Sequence, residues 1–140
     1  MKQALAMMAV VVALLEIGRQ AFGEAQILLV VYGAMAVMSA MIAATFLWLW
    51  FERTTPLAHG MVYSWSGAAL FIGWWWVYNL AGQPEWGHLP RAGFVVQALS
   101  FVGAVLHFAV IHRSFGYHGV GFIWPVGLAL AISGLVALLV

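Results

Sequence analysis

Few side chains in this sequence of 140 residues could do chemistry, and most of those sit inside long apolar runs. The tightest group is Gln97, Ser100 and His107. At 100° per residue of an α-helix they fall, with Ala104, inside an arc of about 80°. One stripe therefore holds every polar group of the run from Gly93 to Ile111. Polar groups at membrane depth are costly and are functional candidates by default. Such a stripe could line a water-filled path or seat a polar ligand, and His107 could ligate haem iron or relay protons. The competing reading is packing glue, in which Gln97 and His107 hydrogen-bond neighbouring helices at a gain of about 1 kcal/mol. His107 lies deepest, and the hydroxyls of Tyr63, Ser64 and Ser66 are its expected partners.

Glu16 is the one acidic residue expected at membrane depth. A lone carboxyl in lipid suits a proton-coupled site. Arg19, one turn on, would convert it into an ordinary interfacial ion pair. Three histidines, His59, His112 and His118, are expected at one face with Glu52 nearby in sequence. Imidazole and carboxylate together can bind zinc or another transition metal, although the spacing matches no metal motif. Tyr63 and Trp65 stand in the densest polar-aromatic cluster, Tyr63-Ser64-Trp65-Ser66-Gly67, and could stack on a cationic or aromatic ligand. The bland alternative is an interfacial aromatic belt, with hydroxyls bonded back to their own helix. No cysteine is present, which excludes disulfides, thiolate metal sites and cysteine catalysis. No phosphate loop, nucleophile elbow or zinc-protease helix occurs, so catalysis has no positive support.

The elements that must position these groups follow from composition. Hydrophobic residues make up 66% of the chain and charged residues 6%. A soluble domain carries about 25% charged residues to face water, so this composition belongs to a protein whose surface is mostly lipid. Net charge is +1, which gives no footprint for nucleic acid. The sequence predicts an all-α polytopic bundle without a soluble domain. A spanning helix needs about 20 apolar residues, and five segments qualify or nearly do: Gln3–Arg19, Gln26–Phe51, Ala58–Ala81, Gly93–His112 and Gly121–Val140. The first is the weakest. Its uninterrupted run, Ala4–Leu15, covers about 18 Å at helical rise, so four spans plus a half-inserted first helix is the alternative. That segment also resembles a signal peptide with a cut near Ala21–Gly23, but counts here as structure.

Trp and Tyr favour the membrane interfaces. Five crossings place Trp48, Trp50, Tyr117 and Trp124 at one face, with Trp74, Trp75, Trp76, Tyr78 and Trp86 at the other and Tyr32 near them. Lys2, Arg53 and Arg113 oppose Arg19 and Arg91, which predicts a cytoplasmic N-terminus in a bacterial inner membrane. Small residues mark expected helix seams: Ala36, Ala40 and Ala44; Gly60, Ser64 and Ala68; Gly127 and Ala131.

Glu16, followed 49 residues on by Trp65 within Thr55-Pro56-Leu57 and Tyr63-Ser64-Trp65-Ser66-Gly67, resembles the small multidrug resistance transporters. That family carries a membrane-embedded glutamate in its first helix and, in its third, a proline, then Tyr and Trp, then Ser-Gly. The resemblance implies that Glu16 is a coupling carboxylate exchanging protons for cationic drugs. It also implies that Tyr63 and Trp65 line the substrate site of an antiparallel dimer. The family has four helices and spaces its Tyr and Trp three apart, whereas this chain has five segments and a spacing of two.

Two function classes emerge. One is an oligomeric transporter or channel, its path lined by Gln97, Ser100, His107 and Glu16. The other is a non-catalytic accessory or assembly subunit of a larger membrane complex, with haem or quinone binding through His107 as a variant. A membrane-permeabilising protein is a third class compatible with the composition. A transporter requires the stripe and Glu16 to converge on one cavity. An accessory subunit lets them scatter and leaves a broad apolar flank unpaired.

Overall fold

The first four helices are longer and their joints tighter than the apolar runs alone suggest, whereas the fifth begins at Trp124 and not at the expected Gly121. A computed structural model describes residues 2–85, 92–117 and 119–139. It is all-helical, with no strand among them. The helices are α1 (Lys2–Phe22), α2 (Glu24–Arg53), α3 (Pro56–Leu80), α4 (Ala92–Ser114) and α5 (Trp124–Leu139), the last preceded by a 3₁₀ turn at Gly121–Ile123. In lipid every backbone donor must be paired within its own helix, so helices run on until a residue can turn the chain.

The turning residues are visible in each joint. Gly23 alone separates α1 from α2, at φ 89°, a conformation that glycine adopts without strain. Thr54 ends α2 in the left-handed region and donates its N–H to the Trp50 carbonyl at 2.8 Å. Pro56 then opens α3, where its missing N–H costs nothing. At the end of α4, Gly116 donates to the Arg113 carbonyl and Tyr117 to that of His112, at 3.0 and 3.2 Å. This paired closure satisfies carbonyls that the helix leaves open.

Three helices are long and apolar enough to cross a membrane: α1, α2 and α4. At 1.5 Å per residue the 21 residues of α1 cover about 31 Å. The unbroken helix thus runs past Glu16 and reaches farther than the apolar run Ala4–Leu15. α3 is equally long, at 25 residues, and holds no Asp, Glu, Lys or Arg. Its Trp, Tyr, His and Ser side chains lower its apolarity. α5, at 16 residues, is the short one, covering about 24 Å.

Among the described residues every extensive contact joins helices that are neighbours in sequence. Gly73 and Trp76 of α3 meet Ala36 and Gly33 of α2, whereas Gly60, Ser64 and Gly67 meet α4. At 100° per residue these two sets lie on nearly opposite sides of α3. The bundle is therefore open, with α2, α3 and α4 in a row and α3 in the middle. On α2 the buried residues are Gly33, Ala36, Ser39 and Ala43, whereas Ala40 and Ala44 are exposed. The stripe expected at four-residue spacing turns about 40° per step and drifts out of the contact. The α3 seam holds as expected at Gly60 and Ser64, with Gly67 buried one position before Ala68. α1 buries no residue, and its contact with α2 is sparse. Gly127 of α5 meets nothing within 4 Å of where a Cβ would stand. Trp86, His88, Arg91 and His118 lie outside the described residues.

Candidate functional site

The polar stripe of α4 lands on α3. Gly103, beside the stripe and between Ser100 and His107 in sequence, packs so closely that an added Cβ would collide with the Ser64 side chain and lie 2.5 Å from its backbone nitrogen. A Cβ on Gly67 would likewise meet the Ser100 hydroxyl and lie 3.0 Å from the Ser100 nitrogen. At Gly60 the nearest atom would be the His107 nitrogen, at 3.1 Å. Small residues on both helices let the backbones approach, and dispersion contacts accumulate where lipid supplies no hydrophobic drive. The backbones at Ser100 and His107 thus lie along the helix seam, although Ser100 itself is exposed. Gln97, a turn earlier, is exposed.

His107 departs from expectation in one respect. Its Nδ1 is buried and has no hydrogen-bond partner, so the hydroxyls of Tyr63, Ser64 and Ser66 do not satisfy it. Its ring stands edge-on to Phe108, with centroids 5.9 Å apart. Gly103, which no polar or charge pattern singles out, brings the helices together. Its signal in the sequence is its spacing of four from His107, on the same side as Ser100.

Glu16 lies far from this seam. Arg19 grips its carboxylate with two charge-assisted bonds, Nε to Oε2 at 2.8 Å and Nη2 to Oε1 at 2.6 Å. Gln20 adds a third, Nε2 to Oε1 at 2.9 Å. Both charged side chains are about half exposed. The pair borders a groove of about 600 Å³ between α1 and α2, where Glu24, Ile27 and Leu28 form the α2 wall. The fork geometry of arginine suits a carboxylate in this two-point fashion, and it leaves the carboxylate engaged.

Tyr63 and Trp65 stand at the other end of the molecule. Tyr63 meets His59 edge-on at 5.2 Å, and His59 stacks flat on Trp50 at 4.8 Å and 14°. Trp50 is 22 residues along α2 from Leu28, about 33 Å at helical rise. One chain therefore does not bring Glu16 to Tyr63 and Trp65. Two residues apart on a helix, Tyr63 and Trp65 also project to different sides.

The histidines at that end are held by rings. His112 packs against Tyr117 at 5.3 Å and Phe122 at 6.2 Å. Among the described residues no three His, Asp or Glu side chains come together to hold a metal. His59 and His112 face aromatic neighbours, and the third member, His118, lies outside the described residues. No known protein family, curated protein or solved structure matches the chain.

Proposed function

We propose that the chain is a non-catalytic accessory or assembly subunit that crosses the membrane five times and packs its outer helices against a larger membrane complex. The observation that supports this best is the open row of helices. Among the described residues α1 and α5 touch the rest of the chain along narrow contacts, and both carry large apolar side chains outward, including Met7, Leu14, Ile17, Leu130 and Leu135. A third open surface lies between α2 and α3, an apolar groove of about 440 Å³ lined in part by Ala40, Leu70 and Val77. The groups that could carry chemistry scatter: Glu16 is closed by Arg19 at one end, and of the α4 stripe Ser100 and His107 lie along the α3 seam while Gln97 is exposed away from it.

Five crossings fit the continuous α1 and the length of α3. They place the N-terminus, Arg53 and Arg113 together, which suits a cytoplasmic N-terminus in a bacterial inner membrane. A transporter related in plan to the small multidrug resistance proteins would instead need a second chain to carry Glu16 to Tyr63 and Trp65.

The test is to extract the chain gently from its own membranes and weigh what it travels with. A complex of fixed stoichiometry, much heavier than a few copies of 15.3 kDa and dissolved by Ala131→Leu, is the expected result. A stable small homo-oligomer with proton-coupled flux lost in Glu16→Gln would overturn the proposal in favour of transport.

A further inference from the structure

At the end of the molecule opposite His59, the start of α2 and the end of α3 part to leave a cavity of about 380 Å³. Tyr32 and Trp75 supply its aromatic walls, Leu28 and Leu29 its apolar side, and Asn79 and Gln83 its polar end. None of the described residues that line it is charged.

The two carboxamides are wired in series. Gln83 Nε2 donates to Asn79 Oδ1 at 3.0 Å, and Asn79 Nδ2 donates to the Trp75 carbonyl at 2.7 Å. Gln83 is set for this by its backbone, which lies in the left-handed region at φ 57° with its N–H bonded to the Tyr78 carbonyl at 3.0 Å. L side chains rarely adopt that conformation, and departures of this kind cluster where a side chain must be aimed. Each amide nitrogen has two hydrogens and uses one. Together with the Tyr32 hydroxyl, three donor hydrogens remain spare, beside the unused Gln83 Oε1 acceptor.

Spare donors without a cation suit carbonyl oxygen and do not suit phosphate, which wants arginine or lysine. Without a carboxylate the site does not suit a cation either. A largely apolar cavity with a few convergent polar groups is the usual form of a small-molecule site. Trp75 lines one wall.

The geometry points to a binding site for the uncharged, carbonyl-bearing head of a membrane-soluble molecule, either a quinone or a neutral lipid ester. Carbonyl oxygens accept from Asn79, Gln83 and Tyr32, the head lies along Trp75, and the tail remains in lipid. This site is independent of the partner that covers the outer helices.

The experiment uses the full chain in phosphatidylcholine nanodiscs, titrated in separate arms with decylubiquinone and dioleoylglycerol while tryptophan emission is followed. Saturable binding of one probe is expected, weakened about tenfold by Asn79→Leu, as loss of one well-made hydrogen bond implies. Tyr32→Phe, which keeps the ring and removes only the hydroxyl, is expected to weaken it also and serves if the asparagine variant does not fold. Gln97→Leu, on α4, is expected to bind as the parent does. Saturation by decylubiquinone assigns a quinone, and saturation by dioleoylglycerol alone assigns a lipid ester. The proposal is overturned if neither probe saturates, if both pocket variants bind normally, or if binding needs anionic phosphatidylglycerol.

Discussion

Glycine positions divide sharply by what surrounds them. At Gly103 a Cβ meets Ser64 side chain and backbone at once, and backbone cannot swing away. Gly103→Leu is therefore expected to separate α3 from α4 and lower the melting temperature in detergent by many degrees. Gly127→Leu, where a Cβ meets nothing, is expected to leave the melt of the isolated chain unchanged. Equal effects of the two, read by circular dichroism on heating, would contradict the seam. His107 makes a second case. Its buried, unpartnered Nδ1 carries a desolvation cost of about 1–3 kcal/mol, so His107→Leu is expected to match or exceed the parent in thermal stability. A fall in melting temperature would mean that Nδ1 has a partner after all. Glu16→Gln is expected to stay folded and melt like the parent, because the ion pair is open to its surroundings at both side chains. These residues also show how far the sequence could be read. The Glu16–Arg19 pair was legible because three-residue spacing brings two side chains of a helix together whatever else the fold does. The orphaned His107 was not, since whether a hydroxyl reaches it depends on the rotation of α3 about its own axis.

At the scale of elements, the five helices follow from apolar run length, and their ends needed turn chemistry that hydropathy does not report. Gly23, Thr54 with Pro56, and Gly116 each stop or restart a helix within one or two residues. The rotation of each helix was less legible. Small residues occur on several sides of α2, so spacing offers two seams and only packing selects Gly33, Ala36, Ser39 and Ala43. The Tyr32–Gln83 cavity was invisible for a similar reason. Asn79 and Gln83 lie at a helix end, where polar residues are unremarkable, and only the tertiary pairing of α2 with α3 puts Tyr32 beside them. The row of helices makes its own prediction. Since α5 contributes little to the contacts of α2, α3 and α4, a chain ending before Gly121 is expected to keep their helicity and their cooperative melt. Loss of that melt on truncation would show that α5 supports the row.

At the scale of the whole molecule, five crossings put the two termini on opposite sides of the membrane, and a half-inserted α1 puts them on the same side. The structure bears on the choice through α1, whose helix runs unbroken from Lys2 to Phe22 and covers about 31 Å. That length matches the roughly 30 Å of hydrocarbon in a bilayer. A crossing α1 would also carry the Glu16–Arg19 pair to the far interface, where headgroups and water can solvate it. A half-inserted helix would have to lay Val10, Val11, Val12 and Leu14 along a headgroup layer, although all four are exposed and apolar. An interfacial helix keeps one charged face toward water, and α1 has no such face between Ala4 and Leu15. Alkaline phosphatase and green fluorescent protein fused in turn to each terminus read this directly. Fluorescence is expected only from N-terminal fusions and phosphatase activity only from C-terminal ones, as the proposed orientation with Lys2, Arg53 and Arg113 on the cytoplasmic side requires. The same reporter active at both ends would leave α1 on the surface and remove one of the two outer helices on which the subunit reading depends.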